Sequence, residues 1–166
     1  MIQDDIDKIL SQWQREAPAL DVSSLAVVGR VLQIAQLLER YRETILAEYN
    51  LTVWSFDMLA TLRRQGPPYQ LKPTELHKWL MLSSGAMTNR IDRLEKDEMV
   101  TRLRDPDDRR GVIVQLSDAG VERIDAAMPV LFEREKQFLA DWSQTETADL
   151  ITLLRQFLAT VHQQVS

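Results

Sequence analysis

Apolar residues recur every three or four positions along most of this chain, the spacing that gathers them on one side of an α-helix. Ile6, Ile9, Leu10 and Trp13 mark a short first helix near residues 4–16, which Pro18 closes. Leu25, Val28, Leu32, Ala35, Leu38, Tyr41, Ile45 and Tyr49 trace a long helix over about 24–49. Thr52 can N-cap a helix through Arg64, with Phe56, Leu59 and Ala60 inward, and Gly66-Pro67-Pro68 ends it. Pro73 suits the first turn of a short helix reaching Leu80, and Ser83 or Ser84 can cap the next one, to about Asp97.

The period then shortens to two. Val100–Arg104 and Val112–Leu116 read as strands around the loop Asp105-Pro106-Asp107-Asp108-Arg109-Arg110-Gly111, with Val112, Val114 and Leu116 on one face. A helix follows Ser117, with Val121, Ile124 and Met128 inward and Pro129 expected to kink it. Ser143-Gln144-Thr145-Glu146 is a capping box for a last helix carrying Leu150, Leu153, Phe157 and Val161 on one face. A short helix, a tight turn, a second helix and a β-hairpin make a winged helix-turn-helix. The expected fold is mainly α, with a two-stranded β-wing, long flanking helices able to pair with a second copy, and an extra N-terminal helix. Its expected divisions are residues 1–22 (extra helix), 23–50 (scaffold helix), 51–120 (winged helix-turn-helix) and 121–166 (C-terminal dimerisation helices).

Composition narrows the function. The 166 residues are 45% hydrophobic and 27% charged, enough apolar material for a core. Cysteine is absent, which excludes disulfides and thiolate metal sites, and the two histidines, His77 and His162, lie far apart in sequence. With no glycine-rich phosphate loop, nucleophile–base pair or metal spacing, an enzyme is not expected, nor is a cofactor. No run approaches a membrane span, and the acidic start is unlike a signal peptide, so a cytoplasmic protein is expected. The net charge is −5. Residues 72–110, however, hold nine Lys/Arg and eight Asp/Glu, whereas the rest hold 11 and 17. The hairpin and the helices before it are the least acidic part, which suits docking onto phosphates.

On the helix from Ser84, Met87, Ile91 and Leu94 form the buried stripe. Gly85, Asn89, Asp92 and Lys96 lie opposite, with Thr88 and Arg93 on the flanks. A helix entering a major groove needs small residues and hydrogen-bonding side chains at its N-terminal end, and Ser84, Gly85, Thr88 and Asn89 supply both. An arginine at the hairpin tip can enter a narrow minor groove, oriented by Asp108. A capped surface helix and a solvated turn are the plainer readings of the same residues.

Thr74-Glu75-Leu76, the Met87–Leu94 helix, and the run Arg104-Asp105-Pro106-Asp107-Asp108-Arg109-Arg110-Gly111-Val112 through Leu116-Ser117-Asp118-Ala119-Gly120 resemble the multiple-antibiotic-resistance (MarR) family of winged-helix regulators. The resemblance spans nearly the whole chain. It implies a homodimer on double-stranded DNA with a pseudo-palindromic operator, read by the second helix of the motif, with Arg110 in the minor groove. The candidate DNA-binding residues are Thr74, Ser83, Ser84, Gly85, Thr88, Asn89, Arg93, Arg104, Asp108, Arg109 and Arg110.

Leu10-Ser11-Gln12-Trp13, Phe56 to Arg64, Gly66-Pro67-Pro68-Tyr69 and Leu82 to Arg90 are further similar to the urate-responsive, PecS-like subgroup. That likeness implies a repressor released by urate or a related purine, held by Trp13, Asp57, Arg64 and Arg90. Phenolic effectors, and a helical interaction module without DNA binding, are the alternatives. Asp57 and Arg64 are seven residues apart, so they share a helix face ~10 Å apart. Arg90 lies ~60–70° from the buried stripe and needs a partner there, for which Asp57 is a candidate. Trp13 as a simple anchor of its helix, and Arg90 on a phosphate, are the plainer roles. Two departures from the family pattern stand out. Lys72 occupies the usual capping position of the first motif helix. Glu98 stands in place of a glycine after the second, costing about 1 kcal/mol if its backbone is left-handed.

Overall fold

A computed structural model describes residues 3–80, 84–108 and 111–165. Its elements are α1 (Asp5–Glu16), α2 (Leu25–Ala47), α3 (Val53–Arg63), β1 (Gln70–Leu71), α4 (Pro73–Leu80), α5 (Ser84–Lys96), β2 (Val100–Arg104), β3 (Val112–Leu116), α6 (Asp118–Lys136) and α7 (Gln144–Val165). The chain forms two compact units, Met1–Ile124 and Asp125–Ser166.

The helix starts follow the local chemistry. Asp4 and Asp7 form a capping box on α1, and Thr52 and Ser55 form another on α3. Lys72 gives α4 no side-chain oxygen, but its backbone N–H donates to Glu75 Oε2 at 2.9 Å, which supplies half of a capping box. At the end of α5 Glu98 does adopt the left-handed conformation, at φ 59°.

The core of the first unit forms where α3, α4 and α5 close over the sheet. Phe56, Met58, Leu59 and Leu62 from α3 are buried with Leu76 from α4, and so is the predicted stripe Met87, Ile91 and Leu94 from α5. Val100, Ile113, Val114 and Leu116 supply the sheet side. The hairpin β2–β3 pairs antiparallel with Val100 opposite Leu116 and Arg104 opposite Val112. The two-stranded wing is as expected, and a short additional strand extends it into a three-stranded sheet in the order β1-β3-β2. Gln70 pairs with Gln115 and Leu71 with Val114. The extra strand anchors the wing to the chain entering α4. Val112 is exposed, unlike Val114 and Leu116, and Ile113 on the other face is buried.

The long α2 buries Gly29, Ile45 and Leu46, but Val28, Leu32 and Leu38 of its apolar stripe are exposed, Leu32 at 61%. Ile6 of α1 lies against Gly29, where an added Cβ would stand 3.0 Å from Ile6 Cδ1. Arg30 completes this junction by bonding Asp4 Oδ2 and Asp7 Oδ1, both at 2.7 Å. In the second unit Ala127 and Leu131 are buried. Helix α6 continues through Pro129, and Gln137–Leu139 adds a 3-10 turn. Ser143 Oγ accepts from the Glu146 N–H and donates to Glu146 Oε2, the expected capping box of α7. Leu153, Leu154 and Leu158 of α7 remain exposed.

Candidate nucleic-acid interface

Helix α5 is amphipathic across its width. Burial of Met87, Ile91 and Leu94 fixes its rotation, and Gly85, Thr88, Asn89 and Asp92 are therefore turned to solvent. The spacing is that of one helix face. At Gly85 nothing lies within 4 Å of where a Cβ would be, so the surface there is open to close approach. Ser84 begins the helix. Thr74 is exposed on the first turn of α4.

The wing is strapped to this helix. Arg102 of β2 donates to both Asp92 and Glu95 of α5, and its backbone N–H donates to Glu95 Oε1 at 3.1 Å. A guanidinium forked across two carboxylates fixes direction as well as distance. At the wing root, Lys72 Nζ meets the buried Asp105 carboxylate at 2.6 Å. Asp105 also accepts the Asp107 N–H at 3.0 Å. The Lys72 ammonium and that N–H hold the Asp105 carboxyl below its ordinary value. Gly111 passes so close that an added Cβ would stand 2.8 Å from Asp105 Cβ. Arg104 is exposed at the end of β2, and Asp108 is exposed, its carbonyl accepting the Gly111 N–H at 2.8 Å. Ser83, Arg109 and Arg110 lie outside the described residues.

Arg93 is solvent-exposed but lies over the Trp54 ring of α3, 5.6 Å from its centre. Arg90 shares that ring at 5.4 Å. Trp54, not Asp57, is thus the neighbour of Arg90, which corrects the expected pairing. Asp57 is engaged by Arg42 of α2 at 2.8 Å. Arg64 lies 4.9 Å from the ring centre of Trp79, itself 59% exposed. Trp13 is 44% exposed on α1. Among the described residues, no hydrogen bond or ion pair joins any two of Trp13, Asp57, Arg64 and Arg90. Arg42, Trp54, Trp79 and Arg102 are the site neighbours that sequence periodicity does not reveal. The one available signal is charge: an arginine bordering an apolar stripe, half out of solvent, must find a carboxylate or an aromatic face.

Residues 51–112 match the model of the MarR family. The chain is 35% identical over 150 residues to the transcriptional regulator PecS of Dickeya dadantii, covering 90% of each protein. It resembles a crystal structure of a MarR mutant from E. coli complexed with operator DNA, with a TM-score of 0.72 and 28% identity. That likeness covers 84% of this chain and 99% of the other. AbsC, a MarR family regulator from Streptomyces coelicolor, shares the fold with a TM-score of 0.77 over 87% of this chain and 97% of AbsC, at 20% identity. These relatives are regulators and not enzymes. With a strapped wing beside a polar-faced second helix, and a full-length relative above 30% identity, the chain belongs to the MarR family of transcriptional regulators.

Proposed function

We propose that the protein is an operator-binding repressor that acts as a homodimer in the cytoplasm and releases DNA when a small planar anion, urate or a related purine, is bound. The polar face of α5 carries this reading. Gly85, Thr88 and Asn89 stand on the solvent side of a helix whose rotation is fixed by three buried apolar side chains. Asn89 offers the paired donor and acceptor that suit an adenine edge in the major groove. The wing is held to α5 by Arg102, and Arg110, which the family resemblance assigns to the adjacent minor groove, belongs to its loop in sequence.

Dimerisation is supported by apolar surface. Val27, Val28, Leu32 and Leu37 on α2 are exposed in one unit, and Leu153, Leu154 and Leu158 on α7 in the other. Exposed apolar side chains on long helices are what a second copy would cover. Two copies would present two α5 helices to successive turns of a pseudo-palindrome, ~34 Å apart.

The effector would lie among Trp13, Asp57, Arg64 and Arg90, with Trp13 as a stacking surface and the arginines as cations. Its link to DNA is Arg90, which belongs to α5 itself. A ligand drawing Arg90 away from Trp54 displaces the reading helix, and reciprocity requires DNA to weaken the ligand by the same factor. The test is fluorescence anisotropy on duplex DNA from upstream of the gene, followed by urate. Asn89→Ala should weaken specific binding by about 1–3 kcal/mol. Arg90→Ala should leave the DNA complex resistant to urate. Release by urate that survives Arg90→Ala would remove Arg90 from the effector set.

A further inference from the structure

The two carboxylates that cap α1 are the same two that dock it onto α2. Asp4 Oδ1 accepts the Asp7 N–H at 3.1 Å, and Asp7 Oδ2 accepts the Asp4 N–H at 3.0 Å. From α2, Arg30 donates through Nε to Asp4 Oδ2 at 2.7 Å. Its Nη2 donates to Asp4 Oδ1 at 3.1 Å and to Asp7 Oδ1 at 2.7 Å. All four carboxylate oxygens are thereby engaged. Arg30 Nη1 donates to the Ala26 carbonyl of its own helix at 2.7 Å, which fixes the guanidinium on α2. Beside this cluster Ile6, the buried residue of α1, seats against Gly29 and Leu25. Further along α1, Ile9 and Trp13 are exposed.

A helix of 12 residues is marginal on its own, so α1 draws much of its stability from this junction. Cap and dock share the same atoms, and loosening one loosens the other.

We propose that Arg30 is a positioning residue for the effector site: it makes the folding and the docking of α1 a single event, and so sets where Trp13 stands. The proposal rests on Trp13 belonging to the effector set given above. Trp13 lies six residues beyond Asp7, ~9 Å along the helix axis, so Arg30 reaches it through the helix. An indole can stack on a flat ligand only while the helix that presents it is formed. A frayed α1 must be ordered when the ligand binds, and the apparent affinity falls in proportion to the folded fraction. The DNA-reading face of α5 carries none of these groups, so its affinity for duplex is independent of the clasp.

Two measurements on the intact protein test this: amide hydrogen exchange over residues 4–16, and release of the DNA complex by urate. Arg30→Gln removes the clasp and leaves both capping carboxylates. Asp4→Asn keeps a cap of equal quality, because asparagine caps as well as aspartate, but takes away the charge that Arg30 holds. Each variant should lower the protection of α1 amides about tenfold, as loss of charge-assisted hydrogen bonds implies. Each should raise the urate concentration for half release about fivefold and leave urate-free DNA affinity unchanged. Asp5→Asn makes the same change of charge but breaks only the exposed pair with Lys8, and should stay within about twofold of wild type. Wild-type protection of α1 in Arg30→Gln would overturn the clasp, as would an Asp5→Asn effect equal to that of Asp4→Asn. Lost protection with an unchanged urate response would overturn the positioning role. A wild-type complex that urate does not release, alongside lost protection in Arg30→Gln, would strike the effector reading itself and the role of Trp13 with it.

Discussion

Gly120→Ala tests how the reading helix, the wing and α6 are locked together. An added Cβ at position 120 would stand 2.1 Å from the Met99 carbonyl oxygen and 3.1 Å from its carbon. That oxygen belongs to the backbone between α5 and β2, so no rotamer change relieves the clash. The methyl is more than about 1 Å inside ordinary van der Waals contact. Relief requires α6 to lift away, and the bonds at the same corner then stretch. These are the Ser117 N–H to Met99 O at 3.1 Å, the Ser117 hydroxyl to Glu98 O at 2.6 Å, and the Gly120 N–H to Ser117 Oγ at 2.9 Å. Overpacking costs about 1–3 kcal/mol. One weakened hydrogen bond adds about 1 kcal/mol. Alanine's helix preference returns up to about 1 kcal/mol. The net loss is about 1–3 kcal/mol, enough to lower a urea midpoint by about 1 M at fixed protein concentration. Gly85→Ala is the matched control. Nothing lies within 4 Å of its Cβ position, so stability should hold or rise slightly while DNA affinity falls. Equal midpoints for Gly120→Ala and wild type would refute the close approach of α6 to Met99.

Further expectations concern the strap, the wing root and a cap. Arg102→Gln should lower DNA affinity severalfold while costing no more than about 1 kcal/mol of stability, because partly exposed ion pairs contribute little to folding. Unchanged affinity would show that the wing needs no strap. The Asp105 carboxyl lies below its ordinary value of 3.8 because Lys72 and a backbone N–H favour its charged form. The unfolded chain therefore binds the proton more tightly. The stability from this group is complete above the unfolded value and is lost as pH falls through the lower folded value. Asp105→Asn should accordingly lose less stability than wild type between about pH 5 and about pH 2 in urea melts, and parallel acid limbs would count against the pair. Thr52→Ala removes the N-cap of α3 and should cost about 1 kcal/mol by thermal denaturation, with loss near zero showing that Ser55 alone suffices.

Periodicity made the rotation of α5 legible, because three apolar residues on a 3-4 spacing admit one buried face. Capping chemistry made the starts of α3 and α7 legible for a similar reason: Thr52 and the Ser143–Glu146 pair satisfy local N–H groups whatever surrounds them. The left-handed Glu98 was readable from the missing glycine. What stayed hidden is tertiary. Strand β1 is two residues long, too short to show a period. Arg42 finds Asp57 across 15 positions and Arg30 finds Asp4 across 26, pairings that depend on how helices pack. For the same reason helix spacing alone offers Asp57 to Arg90, whereas Trp54 stands there. The stripe on α2 was correctly apolar, yet Val28 and Leu32 are exposed in the single chain, since apolar spacing reports a face and not its partner.

The central claim is that the solvent face of α5 and the strapped wing read a specific duplex. Selection from random double-stranded DNA with the intact protein, followed by a salt titration of the selected duplex, tests it most directly. The expected result is a pseudo-palindromic site whose log affinity falls linearly with log salt, with selectivity that Asn89→Ala relaxes. Failure to enrich any sequence over successive rounds, with salt-independent or absent binding, would contradict it.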